Sequence, residues 1–450
     1  MPSFDYSELA FVQIACFSFS ILWMLRRNDE IPLLISSLLG YVASYRYWAV
    51  THGINDWVNL TNFGVPTITE EMALTALPYI VIGQVCVLTT YWVNQSEKIP
   101  ILQTVELTSF FTWLTPKVLL LGLLCLPLVT AVRNIVASQV ASGSSLSYQV
   151  SGYLFQFPFV LVGISTLVLC LWKFGGLPEL WQKAAAIAIL IGVGQLSFQL
   201  SGRFQFLGCL ATAAIILASS LQPKKRLLVL GSFVIIAIAL FGAAGAMRGD
   251  VAEGELRDAA LERLLSAEDA NMLDGFVILQ YAVPSLSEFR WGGAHFEVLA
   301  RPIPRAIWAG KPAGGGYMVE AGLSDPTTGL TVGISPTIFG DFYSEAGLLG
   351  IFFFAIVYGV ALAKIVCWSV TLHPFAGILV RSMICAALVP VLRGGDLPGI
   401  FAWLGMAFWP CLLILWFRRQ QLGPYWEWYN QQDSSQASST DTDIAYPYSP

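Results

Sequence analysis

The chain has 450 residues, of which 56% are hydrophobic and 12% charged, with a formal net charge of −5 and a mean hydropathy of +0.66. A soluble protein of this length needs far more polar surface than such a composition supplies, so a soluble globular enzyme or a nucleic-acid-binding domain is excluded. Long apolar runs separated by short polar ones make it an all-α polytopic membrane protein.

In chain order, apolar segments of spanning length centre on 9–25, 31–50, 72–93, 118–136, 152–172, 184–200, 205–221, 227–247, 347–366, 376–392 and 398–417. That makes about eleven transmembrane helices, with ten to twelve allowed because the short turn at 200–205 is ambiguous. The first run follows Asp5 and Glu8 and precedes Arg26 and Arg27, the reverse of a cleaved signal peptide, and is read as a span. Basic residues recur at alternate ends: Arg26/Arg27, Lys98/Lys117, Lys173/Lys183, Lys224/Lys225/Arg226, Lys364 and Arg418/Arg419. Segments 51–71 and 137–150 contain no Lys or Arg. The positive-inside rule then puts the N-terminus outside and the C-terminus in the cytoplasm.

Four regions follow from this. Residues 1–247 are an N-terminal transmembrane bundle of about eight spans, and 248–337 a long polar loop outside the membrane. Residues 338–419 carry the C-terminal transmembrane helices, and 420–450 a polar low-complexity tail expected to be disordered and dispensable. The first part of the loop, through "NMLDGFVILQYAV", reads as one or two amphipathic helices; the second is rich in Gly and Pro and reads as irregular.

All eight cysteines fall in or beside apolar runs without a CxxC, and the three histidines are scattered. Neither a disulfide framework, a zinc site, an HExxH motif nor a Walker A motif is indicated, and no metal or cofactor is expected.

Arginine on the outer face runs against the topology rule. Arg46 and Arg133 lie near the outer ends of their spans, Arg203 in a short outer turn, Arg248 at the exit of the eighth span and Arg393 at the outer end of the tenth. "RPIPRAIWAGKP" (301–312) adds Arg301, Arg305 and Lys311 among three prolines and Trp308. Guanidinium groups at one depth suit a phosphate-bearing ligand, because the planar fork donates two parallel hydrogen bonds. The alternative is snorkelling to headgroups or pairing with loop acids. Arg257 and Arg263, on an acidic helix, fit the alternative; Arg203, Arg301 and Arg305 fit the ligand.

A second stretch, "SPTIFGDFYSEAGLLG" (335–350), enters the ninth span. Ser335-Pro336 makes a helix start, which sets Asp341 and Glu345 one turn apart on one face. Gly340, Gly347 and Gly350 allow close approach of a neighbouring helix or a ligand. Paired carboxylates can supply a general base, and they can equally be an acidic cap on the span. None of the eleven apolar segments contains Asp or Glu, and Arg381 is the only charge deep in one. Ion-coupled transporters usually need buried ionisable groups along their path.

These two stretches, with "SGRFQ" at the sixth-to-seventh turn, "MRGD" after the eighth span and "RGGD" near the C-terminal end, resemble the Wzy-type O-antigen and oligosaccharide repeat-unit polymerases of bacteria. The motifs cover the last 250 residues or so; the earlier spans match in hydropathy alone. The resemblance implies a GT-C-like glycosyltransferase fold with an extracytoplasmic active site, acting on undecaprenyl-diphosphate-linked oligosaccharides. Related O-antigen ligases carry a histidine near the start of the corresponding helix, where this chain has Ser335-Pro336-Thr337. The implied reaction is inverting polymerisation without a metal. Arg203, Arg301 and Arg305 hold the diphosphate, assisted by Arg248, Arg393 and Lys311, and Asp341 or Glu345 takes the proton. Trp291, Trp308 and Tyr343 are candidate sugar-stacking residues, or membrane-interface anchors. Implied partners are the bilayer, a chain-length regulator and a flippase. The competing functions are a glycan ligase, a polysaccharide exporter and a non-catalytic assembly scaffold.

Overall fold

The computed structural model of the chain describes residues 4–102, 107–141, 156–197, 203–246, 270–301, 303, 307–308, 317–323 and 334–423. Among them, regular structure is helical. The helices are α1 (Tyr6–Arg27), α2 (Ile31–Leu39), α3 (Arg46–Thr51), α4 (Glu70–Asn94), α5 (Thr108–Ala141), α6 (Val160–Lys173), α7 (Leu180–Ser197) and α8 (Arg203–Ala218). They continue with α9 (Pro223–Ala246), α10 (Met272–Ala282), α11 (Gly293–Ala300), α12 (Tyr317–Glu320), α13 (Thr337–Thr371), α14 (Pro374–Arg393), α15 (Leu397–Phe417) and α16 (Arg419–Leu422). A π-helical turn, Gly40–Tyr45, joins α2 to α3.

Each apolar segment of the sequence overlaps a helix, and seven of these helices are long and apolar enough to cross a membrane: α1, α4, α5, α7, α13, α14 and α15. Phe157–Lys173 and Phe206–Ala218 are shorter apolar helices. The starts follow local chemistry. Thr69 Oγ1 accepts the Met72 N–H (3.3 Å) ahead of α4, and Asp396 Oδ1 accepts the Gly399 N–H (3.2 Å) ahead of α15. Pro374 and Pro398 occupy the first turns of α14 and α15, where the missing N–H costs nothing.

The centre of the bundle is α13 against α4. Glycine permits the approach: a Cβ on Gly359 would lie 2.7 Å from Val87 O, and one on Gly83 would run into the Phe339 ring. Helix α14 packs on α8 and α2, α15 on α6, and α5 across α6 and α7.

Several basic clusters of the sequence gather at one end. Arg27 O accepts the Ile99 N–H (2.9 Å), and Ser219 O accepts the Leu102 N–H (3.0 Å). Lys173 Nζ donates to Ser220 Oγ (2.7 Å), and the Arg418 guanidinium lies 3.9 Å from the Trp113 ring centroid. Buried charge is also more plentiful than the apolar segments suggest. Arg381 is 4% exposed, but Arg226 (0%), Glu30 (3%) and Asp29 (0%) are buried with it. Arg226 Nη2 donates to Glu30 Oε2 at 2.5 Å, and Asp29 Oδ2 accepts from Tyr91 Oη at 2.7 Å. These acids escape a search of apolar runs because they occupy the turn between α1 and α2.

One expectation is corrected. Helix α10 is not amphipathic: Met272 to Leu279 are all buried, as is Ala282, because α10 is inserted against α4 and α13. Its one charge, Asp274, meets Arg46 in a two-point ion pair, Nε to Oδ1 at 3.1 Å and Nη2 to Oδ2 at 2.8 Å. Asp274 Oδ2 also accepts the Val58 N–H (2.9 Å), and Arg46 Nη2 donates to Asp56 O (2.8 Å). The buried Arg46 is thereby held by protein groups.

Candidate functional site

The site is built where α13 breaks. Ala346 (φ −159°, ψ 33°) and Gly347 (φ 62°, ψ −140°) interrupt the helix, and the left-handed φ at 347 is where glycine is needed. A break frees carbonyls that the next turn would have used. The segment before α11 takes two of them: Arg290 N–H donates to Ser344 O and Trp291 N–H to Glu345 O, both at 2.9 Å.

The Glu345 side chain closes the same junction. Its Oε1 accepts from Ala294 N (3.0 Å) and from His295 Nδ1 (3.0 Å), and its Oε2 accepts from Gly292 N. Glu345 therefore caps α11, a helix distant in sequence, and the positive end of that helix favours its charge. The other ring nitrogen, His295 Nε2, lies 3.4 Å from Tyr358 Oη. The imidazole lies flat on Phe354, with ring centroids 3.9 Å apart and planes at 5°.

Asp341 is held differently. Its Oδ2 accepts the Gly395 N–H at 3.0 Å, the one hydrogen bond to this carboxylate among the described residues. Gly395 comes from the RGGD turn, where Gly394 and Gly395 have φ of 67° and 105°. That turn lies hard against the helix start: a Cβ on Gly394 would strike the Thr337 backbone, and one on Gly395 would lie 3.0 Å from Ser335 Oγ. Two motifs some fifty positions apart thus form one contact, with Asp341 at its centre.

Arg290 supplies the nearby cation. Its guanidinium acts electrostatically on Asp341 and on Glu345, and its Nη2 pairs with Glu297 Oε1 at 2.9 Å. Tyr317 closes the other side. Its Oη donates to Gly275 O (3.1 Å), and burial, reinforced by the Asp341 charge, pushes the phenol well above its ordinary range.

The other sequence candidates fall as follows. Arg393 ends α14, directly before the RGGD glycines, and is partly exposed. Arg301 follows α11, partly exposed, with its N–H donated to Val298 O (3.3 Å). Trp308 meets Phe296 edge-on at 6.5 Å. Tyr343 sits among Tyr79 (5.4 Å), Phe276 (5.7 Å) and Phe289 (6.1 Å). Arg203 opens α8, but its side chain, like Arg248, Arg305 and Lys311, lies outside the described residues.

Arg290 and His295 were missed in the sequence. The available signal was the Gly292-Gly293 pair, which marks a tight turn beside both. Among the described residues, no three His, Cys, Asp or Glu side chains converge as a metal ligand set. No protein-family model matches the chain, and neither a curated protein nor a solved structure matches it.

Proposed function

We propose that the chain polymerises oligosaccharide repeat units carried on undecaprenyl diphosphate, on the extracytoplasmic face of a bacterial inner membrane. In this reading the bundle is GT-C-like, with about eleven spans and its C-terminus in the cytoplasm. The supporting observation is the Asp341–Gly395 contact, which brings two of the stretches behind the resemblance, SPTIFGDFYSEAGLLG and RGGD, into one place beside Arg290.

A hydroxyl at the non-reducing end of one lipid-linked unit attacks the anomeric carbon of the growing chain. The new glycosidic bond forms as the bond from that carbon to the diphosphate breaks, with inversion. Asp341 accepts the hydroxyl proton, and undecaprenyl diphosphate leaves with the electron pair. Asp341 suits this role better than Glu345, because three protein donors already occupy Glu345. Glu345 instead positions the turn that carries Arg290. Arginines at Arg203, Arg301 and Arg305, with Arg248, Arg393 and Lys311 assisting, stabilise the charge that grows on the leaving diphosphate.

The arginine assignment predicts a specific result. Arg203→Lys and Arg305→Lys keep the charge but lose the bidentate fork, so each should give a large loss of polymer at normal protein level. The readout is the glycan ladder of cells that depend on this chain. Full-length polysaccharide from both variants would refute the diphosphate clamp.

A further inference from the structure

Helix α11 wears its chemistry inside out. Phe296 is 60% exposed, Leu299 77%, Ile303 38% and Ile307 78%. Phe296 and Leu299 lie three apart on one face of the helix, and Ile303 and Ile307 come after its end at Ala300. The opposite side holds the small and polar groups: Ala294 and Ala300 are buried at 1% and 4%, His295 is bonded to Glu345, and Glu297 is paired with Arg290. A segment standing in water has the reverse arrangement.

Its depth says what covers the outward face. His295 stacks on Phe354 and faces Tyr358, both in the apolar part of α13 beyond the break. At ~1.5 Å per residue, Phe354 lies about 10 Å past Gly347 along that helix. On the same stretch Leu349 and Phe353 are 73% and 62% exposed, and α13 is among the helices able to cross a membrane. Through His295, α11 is therefore held at the level of the α13 turns that carry Leu349 and Phe353. The backbone at its start is also provided for: Glu345 caps it, as a segment inside hydrocarbon requires.

We propose that α11 is a re-entrant, lipid-contacting segment. It dips into the bilayer from the end of the bundle that carries Asp341, and Phe296, Leu299, Ile303 and Ile307 touch acyl chains. The placement holds whatever reaction the chain performs. A lipid-borne substrate would then reach Arg290 from the bilayer side, a consequence that does rest on the function proposed above.

The test uses the full chain in liposomes, with a fluorescent amino acid incorporated at one position at a time: Leu299, Ile307, the lipid-facing reference Leu349 and the exposed reference Glu288. Bromine on the acyl chains quenches a probe in lipid; iodide in the buffer quenches a probe in water. Probes at Leu299 and Ile307 should follow Leu349, with bromolipid quenching several-fold above that at Glu288 and little response to iodide. Quenching by iodide alone, as at Glu288, would overturn the proposal. Quenching by neither agent would overturn it too, because the face would then be covered by protein. Loss of that protection on diluting protein in lipid would identify the cover as a second copy.

Discussion

Asp341→Asn is expected to abolish polymer while leaving the protein at its normal level, with single repeat units accumulating on their lipid carrier. The substitution keeps the size of the side chain, and its amide oxygen can still accept the Gly395 N–H that Asp341 Oδ2 accepts at 3.0 Å. The docking of the RGGD turn on the helix start therefore survives. In the proposed mechanism the loss is that of the proton acceptor, which typically contributes about 10²–10⁴-fold in rate. Glu345→Gln should behave differently. An amide must turn its NH2 toward one of three donors, Gly292 N, Ala294 N or His295 Nδ1, so α11 loosens and the yield of folded protein falls. Glycan ladders at matched protein level separate the two outcomes. A normal ladder from Asp341→Asn means that this carboxylate is not the base.

The largest stability effect is expected at the Arg46–Asp274 pair. The two side chains are 1% and 0% exposed, so removing either leaves an uncompensated charge in the interior. Such a loss costs about 3–5 kcal/mol. Asp274→Ala or Arg46→Ala should therefore lower the thermal midpoint of the purified protein sharply. Replacing both together, Arg46→Met with Asp274→Leu, should recover much of the loss, because no buried charge then lacks a partner. Equal midpoints for the single and double variants would show that the partners do not act as a pair.

The helical architecture was legible in the sequence because lipid demands long apolar runs: each run overlaps a helix, and seven of those helices are long and apolar enough to cross a membrane. Helix α10 was not. Eleven residues containing an aspartate look like a loop helix, and burial became possible only because Arg46, 228 positions away, meets Asp274. The same pairing removes Arg46 from the outer arginines that suggested an anionic ligand. In the site, sequence spacing put Asp341 and Glu345 on one helix face, but their partners come from elsewhere: Gly395 for one, the start of α11 for the other. Hydropathy carries no information on such pairings. Gly347 was noticed as a place of close approach; its function is backbone geometry, a left-handed φ that breaks the helix. Nor could Glu345 be recognised as a cap, since the helix it caps begins over fifty positions earlier.

Reconstitution measures directly whether this chain joins lipid-linked oligosaccharides. Purified full-length protein in liposomes would receive an undecaprenyl-diphosphate-linked repeat unit, and both the glycan and the released lipid would be followed. A ladder of growing chains is expected, with one undecaprenyl diphosphate released per unit added, and neither product from Asp341→Asn. No ladder from folded wild-type protein supplied with its own repeat unit, or equal products from wild type and Asp341→Asn, would contradict it.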